Sequence, residues 1–334
     1  MLTVLLSAMV ILTACNSPET KAITKKSSSG KTQEMILAAD RGLYAGATKE
    51  LIDSIFLAPQ TGLPQPESRF SVVTIPVSSL ENTQMFQMHR NIVLCDVKEG
   101  NPDKLYIHRD KWAEPQVVID LAASSEASLC DLLRKHADRI LEELYNAEYR
   151  RMAAAFYRDR NVELMKRVEG KFGFTLNLPQ EFRMAKEDDG FAWLLKRTKD
   201  FDLNVLVHVE PYRSQMQFDT EKILNRLDTT MRRNVPGPAE GSYMATERRV
   251  DIETHVVDFE EAKYAVESRG LWRLFGDFMG GPFVAYTLLS PDGTQIVELI
   301  AFVYCPRFDK RDYLMQVDGI CRSIKWVGDS ESEE

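Results

Sequence analysis

Between Ser124 and Gly170 the chain contains neither glycine nor proline, and no other feature limits its fold so firmly. Leu129, Leu133, Ile140, Leu144, Met152 and Phe156 recur there at near-helical spacing. Ser124 or Ser125 can cap the first turn, and Glu126 suits the positive end of the helix dipole. The pattern predicts a long helix near residues 124–168 that links two halves. Either one helix runs on, or two meet near Arg158–Asn161; a coiled-coil partner helix is a minor alternative.

Shorter elements flank this spine. Glu34–Asp40, Phe70–Pro76, Asn91–Val97 and Gln116–Leu121 read as strands, with a helix over Ala47–Phe56. In the second half FTLNLP after Gly173 reads as a strand closed by Pro179. Leu203, Val205, Val207 and Val209 share one strand face, with Asn204, His208 and Glu210 on the other. A helix follows over Asp219–Arg233. Ser242–Arg248, Lys263–Ser268 and Gly270–Phe275 are weaker strands. Phe283–Leu289, Pro291-Asp292-Gly293 and Gln295–Tyr304 form a hairpin, and a last helix covers Lys310–Ile324. This order predicts an α+β fold of mixed and antiparallel sheets packed by helices, not a doubly wound parallel sheet.

The N-terminus predicts a location. Leu2–Leu12 is apolar and uncharged, too short to span a membrane, and ends in Leu12-Thr13-Ala14-Cys15. That tetrapeptide resembles a bacterial lipobox, in which cleavage precedes a cysteine whose thiol carries diacylglycerol. One departure is that no Lys or Arg occurs before Lys21. The expected organisation is a signal peptide (1–14), a lipidated Ser/Thr/Lys-rich tether (15–33), an N-terminal α+β domain (34–160), a C-terminal α+β domain (161–327) and an acidic tail (328–334). Asn16 rather than Asp follows the cysteine, which points to the outer membrane, with the body in the periplasm.

A net charge of −8 argues against nucleic acid as a partner. Cys95, Cys130, Cys305 and Cys321 match no zinc or redox spacing, and free buried thiols are expected. No nucleophile elbow, zincin motif, Walker loop, dinucleotide glycine run or calcium loop occurs, so neither metal nor cofactor is assigned. His208 and Glu210 supply two ligands where a catalytic zinc wants three, so a solvated strand face is expected. His255 with Asp258, and His108 with Asp110 in a polar loop, are read the same way. The most suggestive segment is Leu271–Phe283. There Trp272, Phe275, Phe278, Met279 and Phe283 crowd around glycines, as a core hairpin or as a partner- or ligand-binding loop.

Phe278–Leu314 (FMGGPFVAYTLLSPDGTQIVELIAFVYCPRFDKRDYL) resembles the signature of an uncharacterised lipoprotein family of Bacteroidota, above all in GGPFVAYT and in Tyr304, Pro306, Lys310, Arg311, Tyr313 and Leu314. The resemblance implies a location and a fold outline but no activity. The second half is also similar in element order to PsbP- and Mog1-like domains, which mostly bind or assemble. Together these readings predict a non-catalytic binding or assembly module of the cell envelope, held to the membrane through lipid on Cys15, with another envelope protein as partner. The alternative is an envelope hydrolase or small-ligand carrier.

Overall fold

The computed structural model describes residues 25–328, so the lipobox, Cys15 and most of the acidic tail lie outside the described residues. A two-residue strand β1 (Lys26–Ser27) precedes β2 (Glu34–Ala38), α1 (Gly46–Phe56), β3 (Ser71–Ile75), the short helices α2 (Val77–Asn82) and α3 (Gln84–Gln87), and β4 (Asn91–Val97). β5 (Lys104–Arg109), β6 (Ala113–Glu114) and β7 (Val117–Ala123) follow. Five of these strands form a mixed sheet ordered β3-β2-β4-β7-β5, in which only β5 is antiparallel to its neighbour. β1 pairs with β6.

β5 corrects the expected polar loop, because His108 lies on this edge strand and Asp110 just beyond it. Leu105 and Ile107 turn inward, while Lys104, Tyr106 and His108 face the other way. The alternation is short and half-exposed, so its polar residues dominate the sequence pattern.

α4 (Glu126–Arg158) is the predicted long helix, and Ser125 caps it by accepting the Ser128 N–H at 3.2 Å. Its Leu129, Leu133, Ile140 and Leu144 pack on Val93, Cys95, Ile119 and Leu121 of the sheet. Within that contact Glu148 is fully buried and takes Arg151 at 2.7 Å and Arg90 at 3.1 Å. Asn91 also donates to it at 2.7 Å, which ties α4 to the start of β4.

Of the two alternatives for the spine, the chain takes the second. α4 ends at Arg158, and α5 (Val162–Phe172) begins after Asn161, whose side chain accepts the Leu164 N–H at 3.1 Å. No Gly or Pro breaks the helix. Instead the Leu178–Phe182 segment pins the break: Asn161 N–H donates to Leu178 O, and its Nδ2 donates to Phe182 O.

The second half holds β8 (Phe174–Thr175), β9 (Arg183–Asp188), β10 (Phe191–Arg197), β11 (Asp202–Pro211), α6 (Thr220–Asn234), β12 (Tyr243–Thr246), β13 (Glu253–Val256), β14 (Tyr264–Phe275), β15 (Gly280–Leu289), β16 (Gln295–Tyr304), α7 (Arg311–Cys321) and β17 (Lys325–Trp326). The large sheet is antiparallel throughout, ordered β12-β14-β15-β16-β11-β10-β9, with β13 beside β12 on the β14 edge. β8 contributes only Phe174 and Thr175, paired with β17, so FTLNLP is mostly buried coil rather than strand. The two weak strands over 263–275 are one continuous strand through Gly270.

Both faces of this sheet are covered, which explains the near-continuous apolar runs of β15 and β16. Leu203, Val205 and Val207 meet α5 and α7, while Leu206 and Phe302 meet Ile223, Leu227 and Met231 of α6. The architecture is α+β, and no described helix is long and apolar enough to cross a membrane.

Contacts around α7 join the halves. Glu67, from the first half, accepts the N–H groups of Lys310 and Arg311 at 2.8 and 2.9 Å and so caps α7 from outside its own half. The far end of α4 lies against α7. A Cβ on Gly319 would stand 3.3 Å from Met152 Sδ, so glycine permits the close approach.

Candidate functional site

Where α4, α7, β13 and β14 converge they leave a cleft of about 1050 Å³. α4 contributes Glu142, Tyr145, Tyr149 and Arg150 at helical spacing. Glu267 and Arg269 lie two apart on β14 and so share one face, while Asp318 near the end of α7 lies four before Arg322, which caps that helix. These four charged side chains form the floor of the cleft.

The floor is a closed network. Arg269 donates to Glu267 at 2.6 Å and to Asp318 at 2.6 Å. Arg322 reaches Glu267 at 3.0 Å and Asp318 at 3.2 Å. Tyr149 donates to Asp318 Oδ2 at 2.7 Å. The Tyr286 hydroxyl lies 2.8 Å from Glu267 and 2.7 Å from Asp318, and its single proton serves one of them at a time. The Arg322 guanidinium also sits over the rings of Tyr149 and Tyr286, at 4.6 and 5.1 Å.

Electrostatics fix the protonation of every member. Burial would lift the Asp318 carboxyl, but Arg269 and Arg322 beside it outweigh burial and hold it down at about 2. Glu267 is lowered for the same reason, with Arg269 as the main opponent of burial. Burial would lower both arginines, yet the surrounding carboxylates and phenols raise them. Both phenols are pushed up, first by burial. Near neutral pH the floor therefore holds two anions, two cations and two neutral hydroxyls.

The walls above the floor differ in charge. Glu253, Asp258, Glu260 and Glu261 come from β13 and the segment after it. Lys325 donates to Glu261 at 2.8 Å, and His255 lies 3.5 Å from Glu253. Arg69 and Arg150 face the cleft from the first half, near Tyr145. Burial pushes the Tyr145 phenol up, against the pull of Arg69, Arg269 and Arg311.

Of the residues singled out in the sequence, His255 and Asp258 come to the cleft and the others fall elsewhere. His208 and Glu210 lie on the opposite, α6-facing side of the sheet. There His208 meets the fully buried Glu298 at 3.2 Å, and Arg226 bridges Glu298 at 2.7 Å to Glu210 at 3.6 Å. His208 and Glu210 stay partly exposed to water at the edge of α6, and only Glu298 between them is fully buried. Among the described residues no group of three His, Cys, Asp or Glu side chains is placed to hold a metal.

The aromatic segment divides. Trp272 and Phe283 are buried beneath α6, with Trp272 Nε1 donating to Val303 O at 3.2 Å, and Met279 packs partly against the same core. Phe275 is half-exposed, and Phe278 is fully exposed at the tip of the β14–β15 turn.

Cys95, Cys130, Cys305 and Cys321 are free and buried. Burial pushes the Cys95 thiol up to about 12 and raises Cys321 as well, so neither is a thiolate at neutral pH.

Sequence had not pointed to the cleft floor. Its signals are faint but physical: Glu267 and Arg269 inside an apolar strand, and Asp318 between Val317 and Ile320 on the buried side of α7.

Residues 28–157 match the family described as Domain of unknown function (DUF8532), and residues 161–323 match Domain of unknown function (DUF4837). The chain thus joins two domains of unknown function, in line with its resemblance to an uncharacterised family. No curated protein matches it. Among solved structures it is similar to LpqN of Mycobacterium tuberculosis, described as involved in cell envelope biogenesis, at 13% sequence identity. The TM-score is 0.27, over 44% of this chain and 78% of that one, a likeness too slight to bear on function.

Proposed function

We propose that this chain is a non-catalytic binding module of the cell envelope. It is anchored through lipid on Cys15 to the outer membrane and faces the periplasm as two domains, 34–160 and 161–327. The cleft carries this reading. It is roomy, it is lined from both halves, and its floor is a saturated ion network that shapes and charges the site without offering a reactive group. The opposed walls select a ligand or partner segment that bears both an anionic and a cationic group. Asp318 and Glu267 are both held as anions, so neither supplies the protonated carboxyl that a general acid of glycoside hydrolysis needs near neutrality. Leu12-Thr13-Ala14-Cys15 supports the anchor.

A photocrosslinking residue in place of the exposed Glu260, in tagged protein expressed in its native cells, tests the cleft. A recurrent adduct with one envelope component is expected. Partner recovery through the tag without any adduct at 260 would move binding to another surface. The mass of the mature N-terminus, with and without globomycin, tests the anchor independently.

A further inference from the structure

The turn that joins β14 to β15 presents an apolar tip on a cationic collar. Gly276, at φ +86°, turns the chain, and Leu274 N–H donates to Met279 O at 2.8 Å to close the loop. Phe278 is left with its side chain wholly in water, although Met279 beside it packs inward. Behind the tip, Phe275 and Tyr243 stack at 5.2 Å with their planes 10° apart. Arg273 lies 4.7 Å from the Phe275 ring and Arg232 lies 4.2 Å from the Tyr243 ring, so two guanidiniums flank an aromatic pair.

The charges around this stack favour an anionic surface. Arg232 and Arg233 end α6, are exposed, and make no ion pair among the described residues. Arg249 and Arg273 both engage Glu247, whose carboxyl Arg249 holds down at about 2. Asp277 turns its carboxylate back to accept the Phe278 N–H. Arg232 and Arg233 thus leave this end of α6 positive, on a chain whose net charge is −8.

We propose that this turn is a second membrane contact, in which Phe278 enters the acyl boundary of a bilayer while Arg232, Arg233 and Arg273 meet anionic lipid phosphates. Aromatic rings with cationic side chains suit the headgroup level. One phenylalanine and three arginines hold only weakly from solution. The proposal therefore rests on the anchored reading above, since a tether makes the second contact intramolecular. Docking here would fix which way the cleft faces.

The test uses the mature chain with Cys15→Ser, an N-terminal histidine tag and vesicles bearing chelator lipid, so the anchor is supplied whatever the cell does at Cys15. Phe278→Cys labelled with an environment-sensitive dye is compared with the same label at Val256→Cys, an exposed position on β13; the remaining thiols are buried. On phosphatidylethanolamine–phosphatidylglycerol vesicles the label at 278 should shift to the blue and be quenched by nitroxide lipids, while the label at 256 stays water-like. Arg232→Gln and Arg233→Gln should each lower the docked-to-free ratio roughly fivefold, and phosphatidylcholine, which takes the anion from all three arginines at once, should lower it on the order of a hundredfold. A label at 278 that stays water-like on tethered anionic vesicles overturns the proposal. Photocrosslinking from 278 to a protein rather than to lipid in cells would replace it with a protein-docking surface. The mass at Cys15 separately tells whether the anchor reading itself fails.

Discussion

Asp318 shows how much one side chain can hold in this molecule. It is 1% exposed and receives Arg269, Arg322, Tyr149 and the shared Tyr286 proton. Asp318→Asn keeps the shape but leaves two guanidiniums facing only Glu267, and should cost about 3–5 kcal/mol in urea denaturation. The pH dependence has a definite sign. Its folded-state carboxyl is held at about 2 against an ordinary value of 3.8, so its stabilisation is complete above the ordinary value and is lost as pH falls through the folded one. The urea midpoint of the native chain should therefore drop between about pH 4 and 2, with Glu267 acting in the same direction, and the Asp318→Asn variant should show a shallower fall. A parallel decline in both proteins would show that Asp318 titrates normally. Little of this network was legible beforehand, because its partners come from positions 149 to 322 and only folding brings them together. The local traces are Glu267 and Arg269 inside an apolar strand and one buried carboxylate on an apolar helix face, and none of them names its partner across the fold.

Among the elements, those whose pattern is local were read well. The strongly apolar hairpin of β15 and β16, the capped start of α4 and the amphipathic α6 follow from side-chain periodicity and turn residues within the segment itself. Elements that rely on neighbours were missed or blurred. β5 and β9 carry charged or half-exposed residues that look like loop until a partner strand supplies the hydrogen bonds, whereas β10 is a short, mostly buried apolar run that periodicity alone does not tell from helix. The end of α4 is the clearest instance, since nothing between Arg158 and Val162 forbids a helix. Asn161 makes the break by capping α5 and holding Leu178 and Phe182. Asn161→Ala should cost about 1 kcal/mol, or more if its bond to Phe182 is also counted, and should raise hydrogen exchange at the first turn of α5. Unchanged exchange at Leu164 would assign the break to packing alone.

Across the whole molecule α4 ties the halves together, because its first turns belong to the core of the five-stranded sheet and its last turns lie on α7. Glu67 adds a second tie by capping α7 from the first half, and the cleft floor adds a third through Tyr149 and Asp318. Separate β-sheet cores would ordinarily open at their own denaturant concentrations, but here either core loses part of its packing when the other unfolds. Hydrogen exchange followed through increasing urea should therefore show amides of β4 and β16 opening together. Leu144→Ala removes a fully buried side chain from the first core and should cost about 2–5 kcal/mol. If the coupling holds, that loss moves the β16 midpoint as well as that of β4. Glu67→Gln combined with Tyr149→Phe, which weakens two of these ties, should separate the midpoints. Independent opening in the native chain would mean that the cleft lies between two loosely joined bodies, and that its shape is set by what it binds.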